Sequence, residues 1–234
     1  MTKVNIIGIT TPRNLPDIDE PVPEDLIAYC ARVSNPKNKS NVKTAGKLLG
    51  YLMEHAHWSP FEMVNIVVEI EGVPRDIGRQ ILRHRSFSFQ EYSQRYAAVD
   101  NFTIREGRKQ DFKNRQNSIA LNLEDPSERE LYKMWEEKQH EVLKLAKMHY
   151  NWALENGIAK ECARVVLPEG LTLSTMSMNG TLRSWIHFCA PQYGIRRKEH
   201  GTQKENYEIA EPIWEAIAQE FPAISDFILS TQQD

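Results

Sequence analysis

From Ser127 to Gly157 apolar residues recur at helical spacing, and whatever the chain folds into must house the long helix this predicts. Ser127 with Glu130 forms a capping-box pattern at its start, and Asn156-Gly157 supplies the stop. Leu131, Met134, Trp135, Val142, Leu145, Ala146, His149, Trp152 and Ala153 form the stripe expected to be buried, as core or as a subunit interface.

Around this helix the pattern is mostly helical. Residues 24–34, 42–54, 74 to about 84, a shorter stretch ending at Pro168, 179–190 and 203–220 read as helices, with Pro212 an expected kink in the last. VNIIGI (4–9) reads as an opening strand, and 63–71 alternates Val64, Ile66, Val68 and Ile70 against Asn65, Glu69 and Glu71. Residues 105–125 read as a long exposed excursion. The expected fold is α+β: one helix-rich domain over 1–234 around a small, mostly antiparallel sheet.

Composition narrows the function. A hydrophobic content of 41% in 234 residues supports a sizeable core, and a net charge of -3 argues against a general nucleic-acid coat. Cys30, Cys162 and Cys189 form neither a disulfide framework nor a CxxC zinc pair, which suits a reducing compartment. The N-terminal apolar run is too short for a secretory leader, and no segment reaches the roughly 20 apolar residues of a membrane span. A cytoplasmic protein without membrane or nucleic-acid partners is expected.

Against that background residues 83–96, RHRSFSFQEYSQRY, stand out. Arg83, His84 and Arg85 follow a helix on which Arg75, Arg79 and Arg83 are four apart and share a face with Gln80 at its edge. Cations at a helix C-terminus suit the macrodipole, which accounts for one or two of them. Beyond it Phe87, Phe89, Glu91, Ser93 and Arg95 alternate, so an extended chain would place them on one face. Guanidinium forks and hydroxyls grip phosphates, and aromatic rings pack on flat heterocycles. Residue types leave two readings open, a nucleotide or flavin site and a solvated helix end.

Arg83-His84-Arg85, seven further residues and Ser93 match the RHR-x7-S signature, and the chain resembles the flavin-dependent thymidylate synthases. CARVS (30–34), YLMEHAHWSPFE (51–62), ECARVVLPEG (161–170) and the stretch from Arg196 to Glu205 resemble further family segments in the same order. The resemblance implies methylation of dUMP to dTMP, with methylenetetrahydrofolate as carbon donor and NADPH as reductant acting through FAD. It also implies a homotetramer with shared active sites, consistent with the lack of a GxGxxG loop here. On the matched positions Arg83, His84, Arg85, Glu91, His57, Ser59, Asn179, Arg183 and His187 would bind FAD. Gln80, Arg83, Glu91, Ser93, Arg95, Arg164 and Arg196 would bind dUMP, with Arg196, or its neighbour Arg197, activating the uracil. NGTLRSWIHF departs from the family pattern in being two residues longer between asparagine and arginine, with His187 where some relatives have asparagine.

Rival readings are weaker. Ser93 lacks a general base among Tyr92, Gln94 and Arg95, so binding is favoured over a nucleophilic role. Cys30 and Cys162 fall in helical patterns and read as small buried hydrophobes. His55-Ala-His57 with Glu62 lacks the spacing of a helical zinc motif, so no metal is expected. A nucleic-acid module built on 75–95 with Arg105, Arg108, Lys109, Lys113 and Arg115 is diluted by acids at 106, 111 and 124.

Overall fold

The structure is a computed structural model that describes residues 2–231, with Glu199 described in its backbone only. It is α+β, with eight α-helices, a four-stranded sheet in the order β1-β2-β6-β3 and a two-stranded antiparallel hairpin β4-β5. The strands are β1 (Lys3–Ile9), β2 (Asn65–Pro74), β3 (Phe87–Glu91), β4 (Arg108–Gln110), β5 (Ser118–Ala120) and β6 (Leu173–Thr181). The chain forms two compact units, one from Glu71–Arg83 and Gln90–Met176, the other from Lys3–Ile70, His84–Phe89 and the residues from Ser177 onward.

In the second unit α1 (Pro23–Ala31) begins with proline at its first turn, and the Val22 amide donates to Asp25 Oδ2 at 3.0 Å. α2 (Ala45–Glu54) buries Leu49, Leu52 and Met53. Its Gly50 admits the ring of Phe227 from α8 (Pro222–Ser230), since a Cβ there would lie 2.7 Å from Phe227 Cδ2. Arg32, in the CARVS block, is buried and ties the following connector by donating to the Asn41 carbonyl (2.5 Å) and Thr44 Oγ1 (2.8 Å). Glu24 is also buried, and its Oε1 accepts from the Ile224 amide at 3.1 Å, clasping α1 to α8. Burial pushes the Glu24 carboxyl above the usual carboxylate range, against the opposing pull of the Ile224 and Ala223 amides.

α6 (Leu182–Cys189) is capped by Thr181, whose hydroxyl accepts from the Ser184 amide at 3.2 Å, and buries Leu182, Trp185, Ile186 and Phe188. Trp185 is fully buried, its indole N–H donating to the Ile66 carbonyl at 3.2 Å. Phe87 lies edge-on to it with ring centres 4.7 Å apart. That ring needs Gly180, because a Cβ there would fall 2.3 Å from Phe87 Cδ1. α7 (Lys204–Glu220) continues through Pro212 and buries Ile209, Ile213, Trp214 and Ile217.

The first unit holds α3 (Arg75–Ile81), α4 (Pro126–Glu155) and α5 (Lys160–Ala163). Its core joins Val99, Tyr150, Ala153 and Ala163, with the Val99 amide donating to the Tyr150 hydroxyl at 3.1 Å. Of the stripe expected on α4, Ala146 and Ala153 are buried and the larger residues are not. Gln139, Leu143, Ala146, Tyr150 and Ala153 point inward, whereas Leu131, Met134, Trp135, Val142, Leu145 and Trp152 are 48–57% exposed. The buried face contains polar residues that are satisfied, Gln139 bonding both the amide (2.7 Å) and the carbonyl (2.8 Å) of Arg105, so hydropathy pointed to the other side. The N-cap also moves: Asp125, not Ser127, accepts from the Ser127 (2.8 Å) and Glu128 (3.3 Å) amides.

Three further expectations are corrected. Residues 173–178, given no element, belong to the central strand β6, and the helix expected from 179 begins at Leu182. The excursion 105–125 contains the β4-β5 hairpin, pairing Arg108 with Ala120 and Gln110 with Ser118. Asp111 organises its turn, accepting from the Lys113 (2.8 Å) and Asn114 (3.2 Å) amides and from Asn117 Nδ2 (3.0 Å), bonds that hold its carboxyl below the usual range. Finally, α3 stops at Ile81, so Arg83 lies beyond the helix that carries Arg75 and Arg79.

Candidate active site

The RHR turn runs from the end of α3 to the start of β3, with Arg83 in the first unit and His84 and Arg85 in the second. Arg83 and Arg85 are exposed, and neither side chain has a hydrogen bond or ion pair among the described residues. Two uncommitted guanidiniums two residues apart suit a phosphorylated ligand.

Within the first unit two of the expected nucleotide residues, Arg95 and Arg164, meet through Glu161, whereas Arg196 lies in the second unit. β3 ends at Glu91 and the chain then turns instead of staying extended, with the amides of Tyr96 (3.1 Å) and Ala97 (3.2 Å) donating to the Ser93 carbonyl. The alternation expected through Ser93 and Arg95 is therefore broken by a turn. Arg95 Nε donates to Glu161 Oε2 at 2.8 Å, and Arg164 Nε donates to the Glu161 carbonyl at 3.3 Å. Glu161 thus joins the RHR-x7-S block to the ECARVV block. The Arg95–Glu161 pair is exposed, so little energy holds it against a competing anion.

A cavity of about 250 Å³ lies beside this turn, lined by Arg75, Arg79, Gln94, Arg164, Glu169 and Thr172 among others. Arg79 pairs closely with Glu169, and Arg75 lies 3.3 Å from Glu91 Oε1. Arg164 has no carboxylate partner among the described residues, so its charge is left for a ligand. Gln80 sits half-buried on α3. The recorded bond of Ser93 Oγ is to the Arg95 amide at 3.4 Å, a group that accepts no proton.

In the second unit two other blocks meet. Trp58 packs edge-on to His187 (4.6 Å) and Tyr193 (5.3 Å), while Arg183 pairs closely with Glu62. This joins HAHWSPFE to α6, where Arg183 and His187 are one turn apart. His57 and Ser59 are exposed beside Trp58, and Asn179 is exposed near the end of β6. Burial, then the Arg183 charge, lowers the His187 pKa. Burial, with the Glu54 charge, raises that of the Tyr193 phenol. Among the described residues no group of three or more His, Cys, Asp or Glu is arranged to hold a metal ion.

The second unit also contains the contact between Arg196 and the signature. Arg196 Nε donates to His84 Nε2 at 3.0 Å. The Arg196 amide is pinned to the Phe188 carbonyl at 2.9 Å, and His84 lies edge-on to Phe188 with centroids 5.0 Å apart. Burial, then the Arg196 charge, pushes the His84 pKa down to about 4. Arg197 instead meets His200, Nη2 to Nε2 at 2.9 Å, in an exposed pair.

Sequence reasoning left Arg75, Arg79, Gln94, Glu169 and Thr172 out of the site. The i, i+4 spacing of Arg75 and Arg79 was a usable signal, Gln94 and Glu169 lie inside the matched blocks, and Thr172 carried none.

Comparison with known proteins adds independent findings. A family model described as "Thymidylate synthase complementing protein" matches residues 18–223. A "Probable flavin-dependent thymidylate synthase" of Paramecium bursaria Chlorella virus 1 is 45% identical over 203 residues, covering 86% of this chain and 88% of the relative. A "Flavin-dependent thymidylate synthase" of Synechocystis sp. is 41% identical over 222 residues, covering 95% and 97%. Among solved structures, a UMP/dUMP methylase PolB from Streptomyces cacaoi bound with 5-Br dUMP is similar in fold, with TM-score 0.78, 23% identity and coverage of 98% and 95%.

Proposed function

The chain belongs to the thymidylate synthase complementing protein family and is a flavin-dependent thymidylate synthase, a methyltransferase, and from that premise we propose how its residues divide the reaction. The substrate is dUMP, the carbon donor methylenetetrahydrofolate, and the hydride comes from NADPH through FAD. The observation that carries the substrate reading is the arginine-lined cavity of the first unit, where Arg164 keeps an unneutralised charge. There Arg164, Arg95 and Ser93 bind the monophosphate, and Gln80, Arg83 and Glu91 line the nucleotide. The solved PolB neighbour was bound with 5-Br dUMP, which agrees with this choice.

The flavin fits the uncommitted side chains of Arg83 and Arg85, whose forks suit its phosphates. His84, Glu91, His57, Ser59, Asn179, Arg183 and His187 complete the cofactor set. When bound, FAD supplies the reducing equivalents. Arg196 stabilises the negative charge that develops on the uracil as carbon 5 becomes nucleophilic. Its part-buried bond to His84, set against the exposed Arg197–His200 pair, favours Arg196 for this role. Arg83→Ala is expected to weaken FAD binding by about tenfold, one guanidinium–phosphate contact at roughly 1.5 kcal/mol, and so to lower the FAD-to-protein ratio of the purified chain. Wild-type flavin absorbance in the variant would count against the role.

We read residues 1–234 as one functional domain, since both units are built from discontinuous segments and β2, β3 and β6 pass from one to the other. The half-exposed stripe on α4 supports self-association to a homotetramer whose copies share active sites. Leu145→Asp, in the middle of that stripe, is expected to shift the chain to smaller species in light scattering after gel filtration. An unchanged mass would remove α4 from the interface. The free cysteines suit a cytoplasmic setting, and no helix among the described residues is long and apolar enough to cross a membrane.

One assay tests the whole reading. The purified chain with FAD bound should convert dUMP to dTMP when methylenetetrahydrofolate and NADPH are supplied, and omission of either, or prior removal of the FAD, should stop the reaction. A chain that forms no dTMP from the complete mixture would overturn it.

A further inference from the structure

We propose that His84 is a positioning residue, whose Nε2 accepts from Arg196 Nε and thereby sets the direction in which the Arg196 guanidinium is presented to the reacting uracil. The inference rests on the reading of Arg196 as the activating arginine, and it gives the signature histidine a task apart from cofactor contact.

An arginine Nε always carries hydrogen, so a 3.0 Å contact with a ring nitrogen requires that nitrogen to be the acceptor. His84 is therefore the Nδ1–H tautomer, neutral, with its lone pair on Nε2. A guanidinium is planar, so fixing Nε fixes the plane in which both Nη groups lie. The backbone of Arg196 is held independently by its amide bond to Phe188. With the main chain and Nε both anchored, the intervening side chain loses most of its rotamer freedom before substrate arrives.

The surroundings keep the ring in its accepting state. Phe87 and Phe188 lie edge-on to it, with centroids 6.4 and 5.0 Å away, and Arg196 is the charged group that faces it. Protonation would put a second cation against the guanidinium and remove the acceptor, in line with the pKa of about 4. A histidine placed to bind an anion would gain from the opposite arrangement.

Two measurements test this. Nitrogen-resolved NMR of the imidazoles in the wild-type chain should show His84 as the Nδ1–H tautomer and uncharged at pH 6, with its titration moved upward in Arg196→Ala. An Nε2–H tautomer, or a titration that Arg196→Ala leaves in place, would overturn the proposal. In turnover assays His84→Phe, which keeps an aromatic ring without the acceptor, should lower kcat by about 10–100-fold, the effect of misplacing a reacting group. Turnover is expressed per bound flavin, because His84 also belongs to the cofactor set; on that basis the KM for dUMP should change little, and His84→Gln, which restores an acceptor, should recover part of the loss. Adding His84→Phe to Arg196→Ala should cost nothing more, because the histidine acts through the arginine. Multiplicative losses in the double variant would overturn the proposal. If the wild-type chain made no dTMP, the catalytic reading of Arg196 would fall, while the tautomer measurement would still decide whether the bond exists.

Discussion

Arg196→Ala is expected to reduce dTMP formation by about 10²–10³-fold while the chain keeps its flavin. That is the loss usual when one preorganised donor to a developing oxyanion is removed, roughly 3–4 kcal/mol of transition-state stabilisation. The part-buried side chain and its His84 contact mean that water entering the variant would be a poor substitute. The comparison that gives the result meaning is Arg197→Ala, whose guanidinium is engaged with His200 and whose loss should change turnover by no more than about threefold. Steady-state assays with flavin content measured in parallel would check both. Reversal of the two results would transfer the activating role to Arg197.

Trp185→Ala should be the most damaging core substitution of the second unit. Trp185 is fully buried in α6, packs against Phe87 and Phe188, and donates to Ile66 of β2. Truncation leaves a large void and a buried carbonyl without its donor, at a cost of about 3–5 kcal/mol. A drop in melting temperature of about 10 °C is the corresponding readout for a chain of this size. Trp185→Phe keeps most of the packing and should lose about 1–2 kcal/mol, the indole bond and part of the ring. A melting temperature unmoved by the alanine would mean that α6 is not packed as described.

The longer helices and the first two strands were largely readable because their periodicities are strong. β1, β2 and the long helix α4 lie within a few residues of expectation. β6 was not readable because its inward positions are Ser174, Met176, Met178 and Gly180, a set without β-branched or aromatic residues. Gly180 is small because Phe87 occupies the adjoining space, a constraint visible only in three dimensions. The expected elements end at 220, whereas the chain resumes at Pro222 as a further helix with proline in its first turn. On α4 only Ala146 and Ala153 of the expected stripe lie inside, next to Gln139 and Tyr150, whose polar groups are satisfied, while its larger apolar residues face outward. Among site residues, the matched motifs gave the blocks but not their meetings. Neither the bridging of Arg95 and Arg164 by Glu161 nor the reach of Arg196 to His84, 112 positions away, leaves a trace in local sequence.

The buried Glu24 clasp makes the second unit a proton-balanced structure. Its carboxyl is raised, so on mild acidification the folded chain takes up a proton there before the unfolded chain does, and that uptake favours folding as pH falls. His84 runs the other way: lowered from 6.5 to about 4, it is stabilising above pH 6.5 and loses that contribution on the way down to about 4. Where the two windows overlap they offset one another, and acid tolerance becomes a shared property of the two residues. Glu24→Gln, which keeps an acceptor for Ile224 but no longer titrates, should steepen the fall in unfolding free energy below pH 6 in denaturant titrations; an unchanged slope would show that Glu24 takes up no extra proton on folding.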